Sequence, residues 1–339
     1  MGWPTVRPGI LQIVKSFGLP LEDIAAPDSL LHAWHRYRSG KRRRPSVAAF
    51  EIAAESRILD LSDDLLAGRY LPGPYDLLRI FDPKARLIAV APVRDRVLHR
   101  ALYDTLAPGF QRSYIEDSYA CLKGRGSHRA ILRFLQLMRR HRYLLHLDLA
   151  NYFPSIDHGI LLDLLRRKLR DRRLVRVLET ILRSGAIIYR RPEVMAFYGE
   201  PDPEVPRGLP IGNLTSQWWA NLYLNAFDHF AKRQLRAPYL RYMDDLVFFA
   251  DQPAQLRTWR DEVRSWLWEH RRLRLNPRKG HIRPTRLPHT YLGYRISPAG
   301  FDLGPKAQRR FKKRQAKLAE LDPEVRQATL AAWWAAAIF

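Results

Sequence analysis

Three carboxylates in the sequence, Asp148, Asp244 and Asp245, each stand at the end of an apolar stretch. Burying a carboxylate without a partner is expensive, so such positions usually hold a cation or an arginine. Mg²⁺ prefers one or two protein carboxylates with water and phosphate oxygens, and two such ions about 3.5–4 Å apart stabilise the attacking and leaving oxygens of phosphoryl transfer. These residue types therefore predict a two-magnesium site, provided that the fold brings the carboxylates together.

The same carboxylates also have an ordinary structural explanation. Asp148 could cap a helix, and Asp244 and Asp245 could form a polar turn, which is the commoner role of an Asp-Asp pair taken alone. The catalytic interpretation therefore depends on the elements and motifs around them.

Hydrophobic patterning predicts the elements that carry the carboxylates. Residues 143–147 are predicted to form a mostly buried strand that ends at the first carboxylate, and a helix is predicted from Ser155, a good N-cap residue. Residues 239–242 and 246–250 are predicted to form a hairpin with the two adjacent carboxylates at its tip. Residues 186–207 hold four prolines and are predicted to be a long loop or an irregular hairpin.

Other segments are predicted to pack and to contact phosphates. A second hairpin is predicted at 77–81 and 87–90, with cations in its turn, and a helix is predicted over 214–233. Two further helices, 127–142 and 305–319, are strongly basic. In the first of them the apolar residues recur at helical spacing and leave cations on another face. One face is therefore expected to pack while the other meets a polyanion.

Composition narrows the class of protein. The 339 residues are 46% apolar and carry 58 Lys+Arg against 34 Asp+Glu, a formal net charge of +24. This predicts a globular protein with a polyanionic partner, either nucleic acid or an anionic membrane face. The single cysteine, Cys121, excludes internal disulfides and a Cys-based zinc cluster. No signal peptide, spanning helix or long amphipathic basic helix with an exposed apolar face is apparent, so membrane association is set aside and a cytoplasmic protein is expected.

Four motifs, taken in order, resemble the successive palm motifs of a reverse transcriptase. They are Asp-Leu-Ala-Asn-Tyr-Phe at 148–153, Gly-Leu-Pro-Ile-Gly-Asn-Leu-Thr-Ser-Gln at 208–217, Tyr-Met-Asp-Asp at 242–245 and Tyr-Leu-Gly-Tyr at 291–294. Upstream, residues 83–88 with 95–97, and residues 123–128, resemble the fingers motifs of bacterial members. The resemblance spans about 35–335 and, as an ordered set, is far more specific than any one motif.

The resemblance assigns roles in the chemical step. It implies that Asp148, Asp244 and Asp245 hold two Mg²⁺ ions, with help from the backbone carbonyl of Leu149, and that dNTPs are the substrates. It also implies that Lys279 protonates the leaving pyrophosphate. For this lysine, a solvent-facing position near a turn is the ordinary alternative.

It further implies how the incoming nucleotide is held. Lys84 and Arg86 would grip its triphosphate, and Phe153 would lie under the sugar and exclude a 2′-hydroxyl. Ile211, with Gly212 beside it, occupies the place of a glutamine that contacts the nascent base pair in many relatives. An exposed polar turn and a core aromatic are the alternatives for the two cations and for Phe153.

A third set is implied to bind the template and primer. Its members are Arg125, Gly126, Ser216, Gln217, Tyr242, Met243, Tyr291, Leu292, Gly293, Lys306 and Arg310. With the basic helices flanking the duplex, affinity is expected to fall steeply with salt.

Within the family, the stretch 211–217 resembles the reverse transcriptases of diversity-generating retroelements. This implies an error-prone copy of a template RNA, notably opposite template adenines, and a small, basic, helical accessory protein. The alternatives are a retron-like, defence-associated or group II-type reverse transcriptase, and an inactive RNA-binding scaffold, against which the intact carboxylate trio argues.

The fold implied is α+β, a right-hand polymerase whose palm combines an antiparallel sheet with helices. The predicted divisions are a helical extension at 1–60, fingers at 61–146, a palm at 147–300 with part of 158–207 in the fingers, and a short helical thumb at 301–339. Expected partners are a template RNA and an RNA–DNA hybrid, with no membrane, in the cytoplasm of a bacterium or encoded by a phage.

Overall fold

The computed structural model describes residues 18–81, 86–200, 202, 204–318, 323 and 327, and it confirms the predicted α+β class with antiparallel sheets. The helices are α1 Leu21–Ala25, α2 Pro27–Arg38, α3 Pro45–Glu51, α4 Ala54–Leu66, α5 Val93–Gln111, α6 Ser127–Arg140, α7 Tyr152–Ser155, α8 His158–Arg166, α9 Arg172–Tyr189, α10 Pro192–Tyr198, α11 Leu214–His229, α12 Pro253–Arg271 and α13 Pro305–Leu318. The strands are β1 Asp76–Ile80, β2 Arg86–Val90, β3 Tyr143–Asp148, β4 Tyr239–Tyr242, β5 Asp245–Ala250, β6 Ile282–Pro284, β7 His289–Tyr291, β8 Tyr294–Ser297 and β9 Gly300–Leu303.

The chain folds as two compact units, each assembled from separated stretches. The first comprises the described residues up to 115, with 149–230 and 264–275. The second comprises 116–148, 231–263 and the described residues from 276 onward. The four consecutive divisions expected from the sequence therefore remain predictions.

The first unit is mainly helical. In its N-terminal part α2 packs against α4 and α5, and Trp34 and Leu61 are buried there. The predicted helical character is confirmed from Leu21 onward, while residues 1–17 lie outside the described residues. The hairpin predicted near residue 80 is also confirmed as β1 and β2, which pair in antiparallel register; its turn, 82–85, lies outside the described residues.

Two predictions in the first unit are wrong in part. Ser155 does not begin a helix but ends α7; α8 is capped instead by Asp157, whose carboxylate accepts a hydrogen bond from the backbone N–H of Ile160 at 3.1 Å. The stretch predicted as a loop contains the end of α9 and the whole of α10. Pro192 lies in the first turn of α10, where its missing N–H has no intrahelical partner to lose, so a proline taken as a loop signal is a helix start.

The second unit is built on a four-stranded antiparallel sheet in the order β4-β5-β3-β6. One core cluster joins this sheet to α6 and to the three-stranded sheet β7-β8-β9, and it includes Phe134, Leu144, Val247, Phe249 and Tyr291. The predicted strand before Asp148, the acid-tipped hairpin and the basic helix at α6 are all confirmed. No helix among the described residues is long and apolar enough to cross a membrane.

Candidate active site

Antiparallel pairing in the second unit brings two of the predicted acids together. Asp148 is the last residue of β3, Asp245 is the first of β5, and the two residues are register partners. Side chains at such positions lie about 4.5–5.5 Å apart at Cβ, and like charges directly opposite one another destabilise a sheet. This pair therefore calls for a neighbouring cation.

A strained two-residue turn places the third acid. Met243 and Asp244 connect β4 to β5, and Met243 has a φ of +57°, a conformation that non-glycine residues adopt at a cost of about 1–3 kcal/mol. The fully buried guanidinium of Arg241 supports the turn by donating a hydrogen bond to the carbonyl of Met243 at 3.1 Å. Asp244 is thereby fixed next to Asp245 at the tip of the hairpin.

A lysine and an asparagine from one loop complete the cluster. The Lys279 ammonium lies 2.7 Å from Oδ1 of Asp148 and 3.7 Å from Oδ1 of Asp245. The Asn276 side-chain amide donates to Oδ2 of Asp148 at 2.9 Å, and its backbone N–H donates to the carbonyl of Asp148 at 2.7 Å. The structure therefore places the Lys279 ammonium beside the acids, while its backbone N–H closes a turn by donating to the carbonyl of Asn276 at 3.1 Å.

The neighbours of the two adjacent acids shift their pKa values in opposite directions. Burial, followed by the negative charges of Asp245 and Asp148, raises the pKa of Asp244 to about 6. Burial also acts to raise the pKa of Asp245, but a hydrogen bond from His146 and the charge of Lys279 outweigh it and lower that pKa. Asp244 therefore carries the uncompensated part of the charge.

The donor set suits a hard divalent cation. Among the described residues no three His, Cys, Asp or Glu side chains are arranged to hold a metal ion directly. The Lys279 ammonium lies between the carboxylates of Asp148 and Asp245, where it supplies one positive charge. Carboxylate oxygens are the ligands that Mg²⁺ and similar cations prefer. The raised pKa of Asp244 indicates that nearby positive charge does not fully compensate its ionised carboxylate. The residues fit such an ion if it replaces the ammonium.

The first unit contains a separate group of predicted residues. The backbone N–H of Ala89 on β2 donates to the carbonyl of Ile211 at 2.7 Å. Gly212 has a φ of +127°, and a Cβ there would lie 2.6 Å from the carbonyl oxygen of Ala89, so only glycine fits. The half-buried Phe153 accepts at its carbonyl a hydrogen bond from Leu209 at 2.9 Å. The 208–217 motif is thus packed onto the hairpin by its backbone.

The other residues predicted to act in this unit are Arg86, Lys84 and Leu149. Arg86 is exposed at the start of β2, and Lys84 lies outside the described residues. Leu149 is buried and forms an isolated antiparallel bridge with Leu275.

A family model described as "Reverse transcriptase (RNA-dependent DNA polymerase)" matches residues 81–296. This segment is more than half of the chain, and it includes the three aspartates, Lys279 and the 208–217 motif. The chain belongs to the reverse transcriptase family. Its predicted class as an RNA-directed DNA polymerase is confirmed, and the predicted right-hand polymerase fold is consistent with this membership.

Several proteins resemble this reverse transcriptase. Protein YkfC of Escherichia coli is 27% identical over 292 residues, which cover 72% of this chain and 72% of YkfC. The group II intron-encoded protein LtrA of Lactococcus lactis is 22% identical over 180 residues, 52% of this chain but 28% of LtrA. The structure of an apo telomerase from Candida tropicalis, truncated from its C-terminal domain, aligns with a TM-score of 0.47 at 11% identity and covers 68% of this chain and 54% of the telomerase chain.

The residues predicted to bind template and primer occupy very different environments in this reverse transcriptase. Tyr291 is fully buried, and its ring stacks on that of Phe134 at 4.8 Å. Met243 and Ser216 are also buried, Gln217 is half-buried, and Tyr242 and Leu292 are partly buried against the same core. The carbonyl of Gly293 accepts a hydrogen bond from the backbone N–H of Gly304. By contrast, Lys306 and Arg310 are exposed on α13. The side chain of Tyr291 is therefore part of the core.

Two arginines of the basic region are held by neighbours within the second unit. The Arg125 guanidinium donates to the carbonyls of Glu116 and Ser118, next to Gly126, which has a φ of +118° and precedes α6. Arg133 on α6 donates to both carboxylate oxygens of Asp117 at 2.8 and 3.1 Å. The charge of Arg133 is therefore already paired within the fold.

Four residues around the acids were not predicted: His146, Asn276, His289 and Arg241. Strand alternation offered one signal, since His146 lies two residues before Asp148 on β3 and so shares its face. His289 is separated from these residues by a long stretch of sequence, and only the folded chain brings it to His146, at 3.1 Å between ring nitrogens.

Proposed function

We propose that this reverse transcriptase copies an RNA template into DNA by nucleotidyl transfer with two Mg²⁺ ions held by Asp148, Asp244 and Asp245. The observation that carries the proposal is the pairing of Asp148 with Asp245, with the Lys279 ammonium lying between their carboxylates. Bound Mg²⁺ would supply charge neutralisation at both ends of the displacement, where the primer 3′-hydroxyl attacks the α-phosphate and pyrophosphate leaves.

The side chains around the acids prepare the proton transfer and hold the ligands. Burial opposes the protonated form of Lys279, but its hydrogen bond to Asp148 and the charge of Asp245 outweigh this and raise its pKa. Lys279 therefore stays protonated at neutral pH and holds the proton that the leaving pyrophosphate requires. Asn276 fixes the orientation of Asp148 through two hydrogen bonds.

The first unit supplies residues suited to the incoming dNTP. The exposed Arg86 offers a planar, bidentate donor for phosphate oxygens, and Lys84 is proposed to act with it. Phe153 is proposed to exclude a 2′-hydroxyl, and the backbone-anchored Ile211 and Gly212 to contact the nascent base pair.

Primer extension on an RNA template tests this proposal. With dNTPs and Mg²⁺ the chain is expected to extend a DNA primer, and Asp244→Ala is expected to abolish extension. Retained RNA binding without extension by the wild-type chain would favour the inactive scaffold. Equal use of rNTPs would favour an RNA polymerase instead.

The finer proposal is an error-prone enzyme of a diversity-generating retroelement, working with a small, basic, helical accessory protein. It rests on the 211–217 stretch, in particular on Ile211, whose branched alkyl side chain cannot hydrogen-bond to the base pair as an amide can. Sequencing of cDNA is expected to show errors concentrated opposite template adenines, and fewer of them for Ile211→Gln. The same error spectrum for both enzymes would contradict it.

A group II-type enzyme is the second candidate, because intron-encoded proteins are among the similar sequences. Besides LtrA, a putative COX1/OXI3 intron 1 protein of Saccharomyces cerevisiae is 23% identical over 211 residues, 60% of this chain and 24% of that protein. Accurate copying at all four template bases, with no effect of an accessory protein, would favour this candidate.

A further inference from the structure

We propose that His146, held by His289, is a positioning residue that fixes the carboxylate of Asp245 for the metal ion. The inference rests on the proposed function and deepens it. Nε2 of His146 lies 2.8 Å from Oδ1 of Asp245, and Nδ1 of the same ring lies 3.1 Å from Nε2 of His289. A chain of three side chains thus runs from β7 through β3 to β5.

The surroundings set the direction of the hydrogen bonds. Nδ1 of His289 is buried and has no hydrogen-bond partner among the described residues, and a buried orphan N–H is rarer than a buried lone pair. The His289 proton therefore lies on Nε2, which donates to Nδ1 of His146. This leaves the His146 proton on Nε2, where it donates to Asp245. Burial lowers the pKa of His289 to about 4, so that its ring stays neutral.

Packing holds both rings in this arrangement. The His289 ring stacks on Phe134 with centroids 5.6 Å apart and planes 15° apart. The ring of Tyr291 meets that of His146 edge-on at 5.6 Å, and Tyr291 itself stacks on Phe134. Neither histidine can turn without moving this aromatic group, so the donor that faces Asp245 is preorganised.

The contacts select one oxygen of the carboxylate. Within the described part of the chain, both His146 and Lys279 approach Oδ1 of Asp245, at 2.8 and 3.7 Å. These contacts fix the rotation of the carboxylate about its Cβ–Cγ bond, and so the direction in which its oxygens can meet a cation. Partners of this kind orient metal ligands in other proteins, and losing one typically weakens metal affinity or activity by about 10–100-fold.

Two substitutions at one position separate positioning from packing. In His146→Gln the side-chain amide can reach the place of Nε2 and still donate to Asp245. In His146→Asn the amide reaches only the place of Nδ1, so it keeps the contact to His289 and loses Asp245. Direct Mn²⁺ titration by electron paramagnetic resonance, without primer or dNTP, is expected to show a Kd weaker by about 10-fold for Asn and by less than about 3-fold for Gln.

The matched control is a second histidine–aspartate contact, just beyond the opposite ends of β3 and β5. Nδ1 of His141 lies 3.4 Å from Oδ2 of Asp251, away from the acids, and His141→Asn is expected to leave the Mn²⁺ Kd unchanged. His289→Gln, whose amide can still donate to His146, is expected to stay within about 3-fold of wild type, whereas His289→Phe is expected to weaken binding.

The outcomes distinguish this inference from the proposed function. Equal Mn²⁺ affinities for the Asn and Gln variants at position 146, in chains with wild-type thermal unfolding, would overturn the positioning role. If either variant fails to fold, the comparison of His289→Gln with His289→Phe decides in the same way. Primer extension by the wild-type chain tests the proposed function separately, so failure of one is not mistaken for failure of the other.

Discussion

The carboxylate cluster on β3 and β5 and the Ile211–Gly212 loop on β2 are assembled by different forces. In the cluster, charge and side-chain hydrogen bonds dominate: the Lys279 ammonium lies within 4 Å of a carboxylate oxygen of both Asp148 and Asp245. In the loop, a backbone hydrogen bond from Ala89 and the absence of a Cβ at Gly212 set the position. The cluster is therefore sensitive to charge and the loop to volume.

The two regions are also expected to act on different steps: the cluster on the rate of the chemical step, and the loop on which nucleotide is accepted. Groups that neutralise charge in a transition state contribute most when they are preorganised, and removing even one such neutral donor typically costs about 10²–10³ in rate. A steric contact changes which nucleotide fits and how well it is aligned. Substitutions in the two regions should therefore differ in both the size and the kind of their effect.

The largest effect is expected from Asp148→Asn, which removes the charge and keeps the shape. Primer extension is expected to fall by at least about 10³-fold, more than for loss of a neutral donor, because the ligand charge itself is removed. The control is Asp251→Asn directly after β5, an exposed acid that contacts His141 and the backbone N–H of Arg142. Comparable losses in both variants would show that the fold, and not the cluster, had been damaged.

Two substitutions of Lys279 separate its charge from its proton. Lys279→Met is expected to slow extension by about 10²-fold through loss of the general acid. It is also expected to tighten Mn²⁺ binding, because the ammonium no longer competes for Asp148 and Asp245. Lys279→Arg keeps the charge but cannot release a proton, so it should be as slow as Met without the tighter binding. Unchanged Mn²⁺ affinity in the Met variant would contradict the competition.

A smaller effect is expected in the loop from Gly212→Ala. The added Cβ would lie 2.6 Å from the carbonyl oxygen of Ala89, so the loop must shift, and a shift of about 1 Å can reduce rate by up to about 10²-fold. The effect should appear in steady-state extension kinetics as a higher KM for dNTP with unchanged Mn²⁺ affinity. Gly68→Ala is the control, since Gly68 also has a positive φ, +70°, but no atom near its absent Cβ. Equal effects of the two would attribute the loss to backbone strain alone.

The sequence predicted the residues of the carboxylate cluster better than the residues that hold them in place. Strand patterning and motif order pointed to Asp148, Asp244 and Asp245, and the resemblance to the family added Lys279. His289 could not be found in this way, since its contact with His146 depends on how β7 packs against the sheet. Local signals also misplaced helix starts: Asp157, not Ser155, caps α8, and both residue types are good caps.

The smallest effect concerns stability: substitutions of the two adjacent acids, Asp244 and Asp245, are expected to change the free energy of unfolding in opposite directions. The pKa of Asp244 is raised to about 6, so in metal-free protein its ionised carboxylate destabilises the fold at pH values above 6. Asp244→Asn is therefore expected to increase the free energy of unfolding at pH 7.5, in EDTA, by about 1–3 kcal/mol, and this gain should shrink as the pH falls from 6 to 4.

The pKa of Asp245 is lowered, so its charge stabilises the fold above its unfolded pKa, and that contribution is lost as the pH falls through the folded value. Asp245→Asn should accordingly lower the unfolding free energy at pH 7.5. Denaturant unfolding of both variants measures the sign of each change in unfolding free energy, and Ile211→Gln, which changes no charge, is the control. Destabilisation of the same size by both Asn variants would mean that charge does not govern the stability of this cluster in the absence of metal.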